Sequence, residues 1–207
     1  MPVNKQLISA VEKYYSSKIR EHGVSAKGVD WNSEESQIIR FNQLVKIIAG
    51  VNDISILDYG CGYGALLEYI KALYPTFTYT GLDISNEMLL KAKEIHPVNS
   101  TVNWKNVLQD EVFDYSIASG IFNVKLEQQE SIWKTYIKQT LNEINSRSSK
   151  GFSFNMLTSY SDTTHMKDYL YYADPCFYFD LCKRKFSKNV ALLHDYGLYE
   201  FCILVKK

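Results

Sequence analysis

The residues most able to do chemistry lie in one short stretch. Gly60-Cys61-Gly62-Tyr63-Gly64 sets a glycine at every second position between a run that reads as a strand and one that reads as a helix. Glycine carries no Cβ, so such a turn bends sharply and lets the backbone approach a ligand closely. Asp58 precedes the first glycine by two residues, at the carboxyl end of the strand, where open α/β sheets bind their ligands. Asp83 ends the following strand, and an acid there accepts hydrogen bonds from both hydroxyls of a ribose. Glycine turn and paired acids together point to a nucleoside-containing ligand.

Two templates overlap at the turn. Gly60 to Ala65 satisfies both G-x-G-x-x-A, the dinucleotide fingerprint, and G-x-G-x-G. Asp58 argues against a dinucleotide, because a carboxylate beside a pyrophosphate is repelled. The same carboxylate draws in a cationic or ammonium-bearing ligand. The end of the chain argues the same way, since it reads as an antiparallel hairpin instead of further parallel strands.

The elements that position these residues follow from periodicity. Leu7, Ile8, Val11, Tyr15 and Ile19 recur at helical spacing, which predicts a helix over 4–21. Asn32 with Glu35 three residues on resembles a capping box and opens a second helix that stops at Gly50. From residue 54 the pattern alternates: strands over 54–59, 79–83, 102–107, 112–119 and 152–157, with helices over 65–74, 85–95 and 132–144 between them. Asp174-Pro175 opens a further helix through about 186. Strands over 190–194 and 199–205 are then joined too tightly for a parallel crossover. This predicts an α/β fold, a Rossmann-like, doubly wound, seven-stranded sheet whose last strand is antiparallel. One domain over 1–207 is the economical division, a helical N-terminal cap (1–50) on an α/β core (51–207).

Composition narrows the class. Lys+Arg and Asp+Glu are 23 each, a formal net charge of zero, so neither nucleic acid nor an anionic membrane is the expected partner. Cys61, Cys176, Cys182 and Cys202 are too scattered for a structural zinc site, and no metal is expected. The first thirty residues carry Lys5, Glu12, Lys13, Lys18, Arg20 and Glu21 instead of an apolar signal core, so the expected location is cytoplasmic. Sixteen tyrosines stand out, clustered at Tyr14-Tyr15 and between Tyr160 and Tyr178. The irregular stretch 159–174 is expected to fold over an acceptor pocket as a lid.

Ile56-Leu57-Asp58-Tyr59-Gly60-Cys61-Gly62-Tyr63-Gly64 and Gly81-Leu82-Asp83-Ile84-Ser85 resemble the first two motifs of class I S-adenosylmethionine-dependent methyltransferases. The likeness runs from about residue 30 to the end of the chain, through 113–120 and 199–205. The resemblance implies S-adenosylmethionine as cofactor, with Gly60, Cys61, Gly62 and Gly64 beneath its methionine part and Asp58 near its amino group. It further implies Asp83 on the ribose, Ile84 against the adenine, and Asn106 with the Val107 backbone at the adenine edge. It also implies that Ser119 and Gly120 border the transferred methyl. Arg40, with Gln37 one turn earlier on the same helical face, is a candidate for the cofactor's carboxylate, and Trp31 either covers the cofactor or packs its loop.

Methyl transfer from a sulfonium has an excellent leaving group, so it needs alignment above all and a base only when the acceptor has a proton to lose. His165 and His194, the latter beside Asp195, are the candidate bases. The implied function is methyl transfer to an O, N or C atom of a small molecule. The rival is a non-catalytic module that keeps the cofactor pocket and works through a partner protein. A nucleic-acid methyltransferase is disfavoured by the balanced charge and by Ser119-Gly120-Ile121-Phe122 where an Asn/Asp-Pro-Pro-aromatic motif would stand.

Overall fold

The computed structural model describes residues 5–207. A seven-stranded sheet runs through it, formed by β1 (Ile54–Tyr59), β2 (Phe77–Leu82), β3 (Val102–Lys105), β4 (Phe113–Ala118), β5 (Ser148–Leu157), β6 (Asn189–Leu193) and β7 (Glu200–Lys206), in the order β3-β2-β1-β4-β5-β7-β6. The first five are parallel, and β7 inserts between β5 and β6, antiparallel to both. Only residues 194–199 join β6 to β7, which leaves no room for a crossover. Chain order reverses between β1 and β4, and that reversal opens a crevice at the strands' carboxyl ends.

Helices cover both faces. On one lie α2 (Glu34–Leu44), the 3₁₀ turn Val45–Ile48, α3 (Ala65–Lys71) and α4 (Asn86–Ile95). There Phe41, Leu44, Ile47 and Ile48 share a core with Ile54, Ile56, Leu67 and Tyr79. On the other lie α5 (Glu130–Arg147), α6 (Pro175–Lys185) and the first half of α1 (Lys5–His22). Trp133, Ile137, Leu141 and Ile144 recur along α5 at three- and four-residue steps and bury completely. Residues 34–48 also pack against the sheet, and over the crevice α1 contributes Val11 and Tyr15 beside Gln37 and Phe41 of α2. Asn4, where the first helix was expected to begin, is outside the described residues. No helix among these is long and apolar enough to cross a membrane.

The helix starts show which caps act. Ser85 accepts from Met88 N, and Asp174 accepts from Cys176 N and Phe177 N ahead of Pro175. For α2 the cap is Ser33, accepting from Ser36 N, not Asn32 as the capping-box spacing suggested. Serine's short side chain, on extended backbone, reaches that amide directly. Strand β5 begins at Ser148, four residues before the expected Phe152, because its polar start carries no alternating signal; the Ser148 hydroxyl bonds Ser116 and the Ile144 carbonyl instead.

Candidate active site

The turn after β1 is built on left-handed backbone. Gly60, Gly62 and Gly64 have φ of 82°, 54° and 88°, where a side chain is strained. A Cβ on Gly60 would strike Ile121 Cγ2, and one on Gly62 would stand 3.0 Å from Val29 Cγ1. Gly64 differs, because its flank is filled by Trp104 of β3, which also lies across Gly81 of β2. Gly64 does not line the crevice, contrary to the expectation that it underlies a ligand; it lets the turn settle on Trp104.

Two acids close the turn. Asp83 Oδ2 accepts from Gly62 N and Oδ1 from Ser85 N, both at 2.8 Å, so one carboxylate ties the glycine turn to the start of α4. Burial raises its pKa from 3.8 to about 6, against the pull of the backbone amides. Asp58, 2% exposed, accepts from the Tyr79 hydroxyl. Its pKa rises to about 7, mainly through burial and further through Asp83, while the Tyr79 bond opposes the shift. Two buried carboxylates side by side, each raised by burial, are poised to ionise when a cationic ligand arrives. Burial raises the Cys61 thiol as well, so it stays protonated.

Around these residues is a cavity of about 290 Å³. Asp58, Gly60, Cys61, Gly62, Asp83, Ile84, Asn106, Val107, Ser119 and Gly120 all line it. The Asn106 amide makes a long contact with Asn86 Oδ1 at 3.4 Å, and Val107 is exposed at the rim. Sequence reasoning missed the far wall. Val11 and Tyr15 enter from α1, and Tyr136 and Glu143 from α5, with the Tyr59 hydroxyl donating to Glu143. The Tyr14-Tyr15 pair hinted at this wall, whereas Tyr136 and Glu143 follow plain helical periodicity.

Ser16 holds α1 in place, bonding Ser85 Oγ and Glu87 Oε2, with the Tyr14 hydroxyl and Lys18 reaching Asp30. Gln37 and Trp31 line the cavity, and Trp31 packs against Gly120. Arg40 is set back from the cavity wall. Its Nε and Nη2 pair with Glu200 and its guanidinium lies against the Trp31 ring, while its Nη1 is buried with no partner among the described residues.

Neither histidine reaches the crevice. His165 ends an exposed 3₁₀ turn beside Tyr199, and His194 is exposed against Tyr160 and Phe201. Both follow strands on the β5-β7-β6 side of the sheet, away from the β1–β4 reversal, so the expectation that they face the reacting atoms fails. The stretch 159–174 is no lid either, as none of its residues lines the cavity. It is tied down by Ser159 N to Ala173 O, Tyr171 N to Asn123 O and Leu126 N to Tyr169 O, and its Tyr169 packs on Tyr14 of α1.

Two features fit an adenosyl sulfonium cofactor. The Asp83 carboxylate, at the end of β2, stands on the cavity wall beside the glycine turn, and the Ser119 hydroxyl is buried on that wall with no partner among the described residues. Residues 57–146 match the family described as a methyltransferase domain. The chain is 51% identical over 164 residues to Rv1506c of Mycobacterium tuberculosis, a protein named as a methyltransferase, covering 79% of this chain and 99% of the relative. Its fold is similar to magnesium protoporphyrin IX methyltransferase of Synechocystis PCC 6803 with bound SAM (TM-score 0.67, 10% identity, all of both chains). It is also similar to DhpI in complex with SAH (TM-score 0.63, 12% identity, 97% of both). Glycine turn, strand-end acids, sheet order and a relative half identical over nearly its whole length converge, and the chain belongs to the class I S-adenosylmethionine-dependent methyltransferases.

Proposed function

We propose that the enzyme passes the methyl group to a small-molecule acceptor that enters between α1 and the end of β4. In this reading Asp83 receives the ribose hydroxyls, Ile84, Asn106 and Val107 border the adenine, and Asp58 faces the ammonium of the methionine part. Ser119 and Gly120 flank the methyl. The observation that carries the reading is the Asp83 carboxylate, held by Gly62 N and Ser85 N on the wall of a cavity roofed by α1. A crevice closed over by a helix admits a compact acceptor far more readily than a polymer.

The acceptor side offers Val11, Tyr15, Ile121 and Tyr136, an apolar and aromatic wall. Burial holds the Tyr15 hydroxyl protonated, far above its ordinary pKa, and pushes Tyr136 up to about 12. Neither ionises at neutral pH to serve as a base. Catalysis therefore rests on alignment and on exclusion of water, with the sulfonium supplying the leaving group.

The experiment uses S-adenosylmethionine labelled in its methyl group, incubated separately with an ultrafiltered small-metabolite extract, with RNA and with protein. Label is expected only in the metabolite fraction. Label in RNA or protein overturns the acceptor class, and no transfer despite tight cofactor binding favours the non-catalytic rival.

A further inference from the structure

Three buried polar residues lie just behind the cavity without lining it. Arg40, Asn155 and Glu200 are 6%, 1% and 1% exposed. Glu200, the first residue of β7, accepts at Oε1 from Arg40 Nε (2.8 Å) and Nη2 (2.7 Å). Its Oε2 accepts from Asn155 Nδ2, and Asn155 Oδ1 accepts from Gly120 N at 2.8 Å. Gly120, at φ 75°, leaves on its flank the space that the Trp31 ring occupies. Arg40 Cζ lies 3.9 Å from the centroid of that ring. Each residue touches the next, so Glu200, Arg40, Trp31, Gly120 and Asn155 form a closed circuit.

Its polarity is fixed. A buried carboxylate demands donors and a backbone amide demands an acceptor, so Asn155 satisfies both in one orientation only. The guanidinium, pinned by Glu200, presents a flat cationic face to the indole. Trp31 and Gly120 are the two members on the cavity wall. The circuit joins a residue of the loop before α2 to the first residue of the last strand, far apart in the sequence.

We infer that Glu200, Arg40 and Asn155 are positioning residues that hold Trp31 and the Gly120 amide at the methionine end of the cofactor. The inference rests on the cofactor placement proposed above. The adenine end, at Ile84, Asn106 and Val107, has no link to the circuit. Loss of the circuit should therefore weaken ligands that carry the amino-acid part and spare those that lack it.

The experiment measures binding of S-adenosylhomocysteine and of adenosine by calorimetry, with thermal melting to establish folding. In Glu200→Gln the new amide donor faces the Asn155 donor. Asn155 must either turn away from the Gly120 amide or lose its partner. We expect S-adenosylhomocysteine to bind about tenfold more weakly and adenosine to be unchanged. Adding Asn155→Asp restores every bond with the charge moved one residue along, and affinity is expected to return to within about threefold of the parent. Asn155→Ser, which keeps the Arg40–Glu200 pair, serves where the first variant fails to fold and is expected to show the same selective loss. Equal loss of both ligands, no loss of either, or no recovery in the double variant overturns the inference. A parent protein that binds neither ligand overturns the cofactor placement instead.

Discussion

Asp58 and Asp83 set the electrostatics of the site, and both titrate near neutrality. Their ordinary pKa is 3.8, and burial lifts them to about 7 and about 6 in the fold. Between those limits the folded protein holds protons that the unfolded chain has released, so the stability of the ligand-free enzyme falls as pH rises through that window. Cofactor affinity runs the other way, because a sulfonium with an ammonium group favours ionised carboxylates. We expect S-adenosylmethionine to bind several-fold more weakly at about pH 5.5 than at about pH 8 by calorimetry; equal affinity at both would exclude the acids from the site. Asp58→Asn should raise the melting temperature at about pH 8, by about 3 °C for each kcal/mol relieved, while weakening the cofactor. Asp83→Ala loses the acceptor for Gly62 N and Ser85 N as well as for the ribose, and binding should fall below detection.

At the scale of elements, the strand–turn–helix unit depends on close approach and the roof depends on a few latches. Trp104 crosses Gly81 and Gly64, and a Cβ on Gly81 would enter its ring and stand 2.8 Å from Cys61 Sγ. Gly81→Ala is expected to cost about 1–3 kcal/mol by overpacking, seen as a lower denaturant midpoint with an unchanged slope. The roof is α1, fixed to α4 through Ser16 and to the following loop through Asp30. Ser16→Ala removes two of these latches. Amide exchange in α1 is expected to speed up in the free enzyme and to slow again when S-adenosylhomocysteine binds. Exchange in α1 that ignores the ligand would remove the helix from the roof.

For the whole molecule, a ligand that binds only the folded state must stabilise it. Saturation with S-adenosylhomocysteine at about a hundred times its Kd contributes about 2.7 kcal/mol. That should appear as a rise in melting temperature of about 5–10 °C for a chain of this size. The charges balance at 23 of each sign, so net charge by itself gathers no polyanion.

The alternation of strands and helices, the glycine turn, both strand-end acids and the closing hairpin were legible in the sequence because each is a local signal. Period, turn chemistry and strand-end position need no knowledge of distant partners, and Asp58, Gly62 and Asp83 stand where those signals put them. The tertiary structure alone decided which residues meet. It turned His165 and His194 away from the crevice, tied down 159–174, and brought Val11, Tyr15, Tyr136 and Glu143 to the cavity wall. It also paired Arg40 with Glu200 across 160 residues of chain. Helical or strand periodicity says which face of an element is buried, but not which neighbour buries it, and a site walled by several elements is made of such choices.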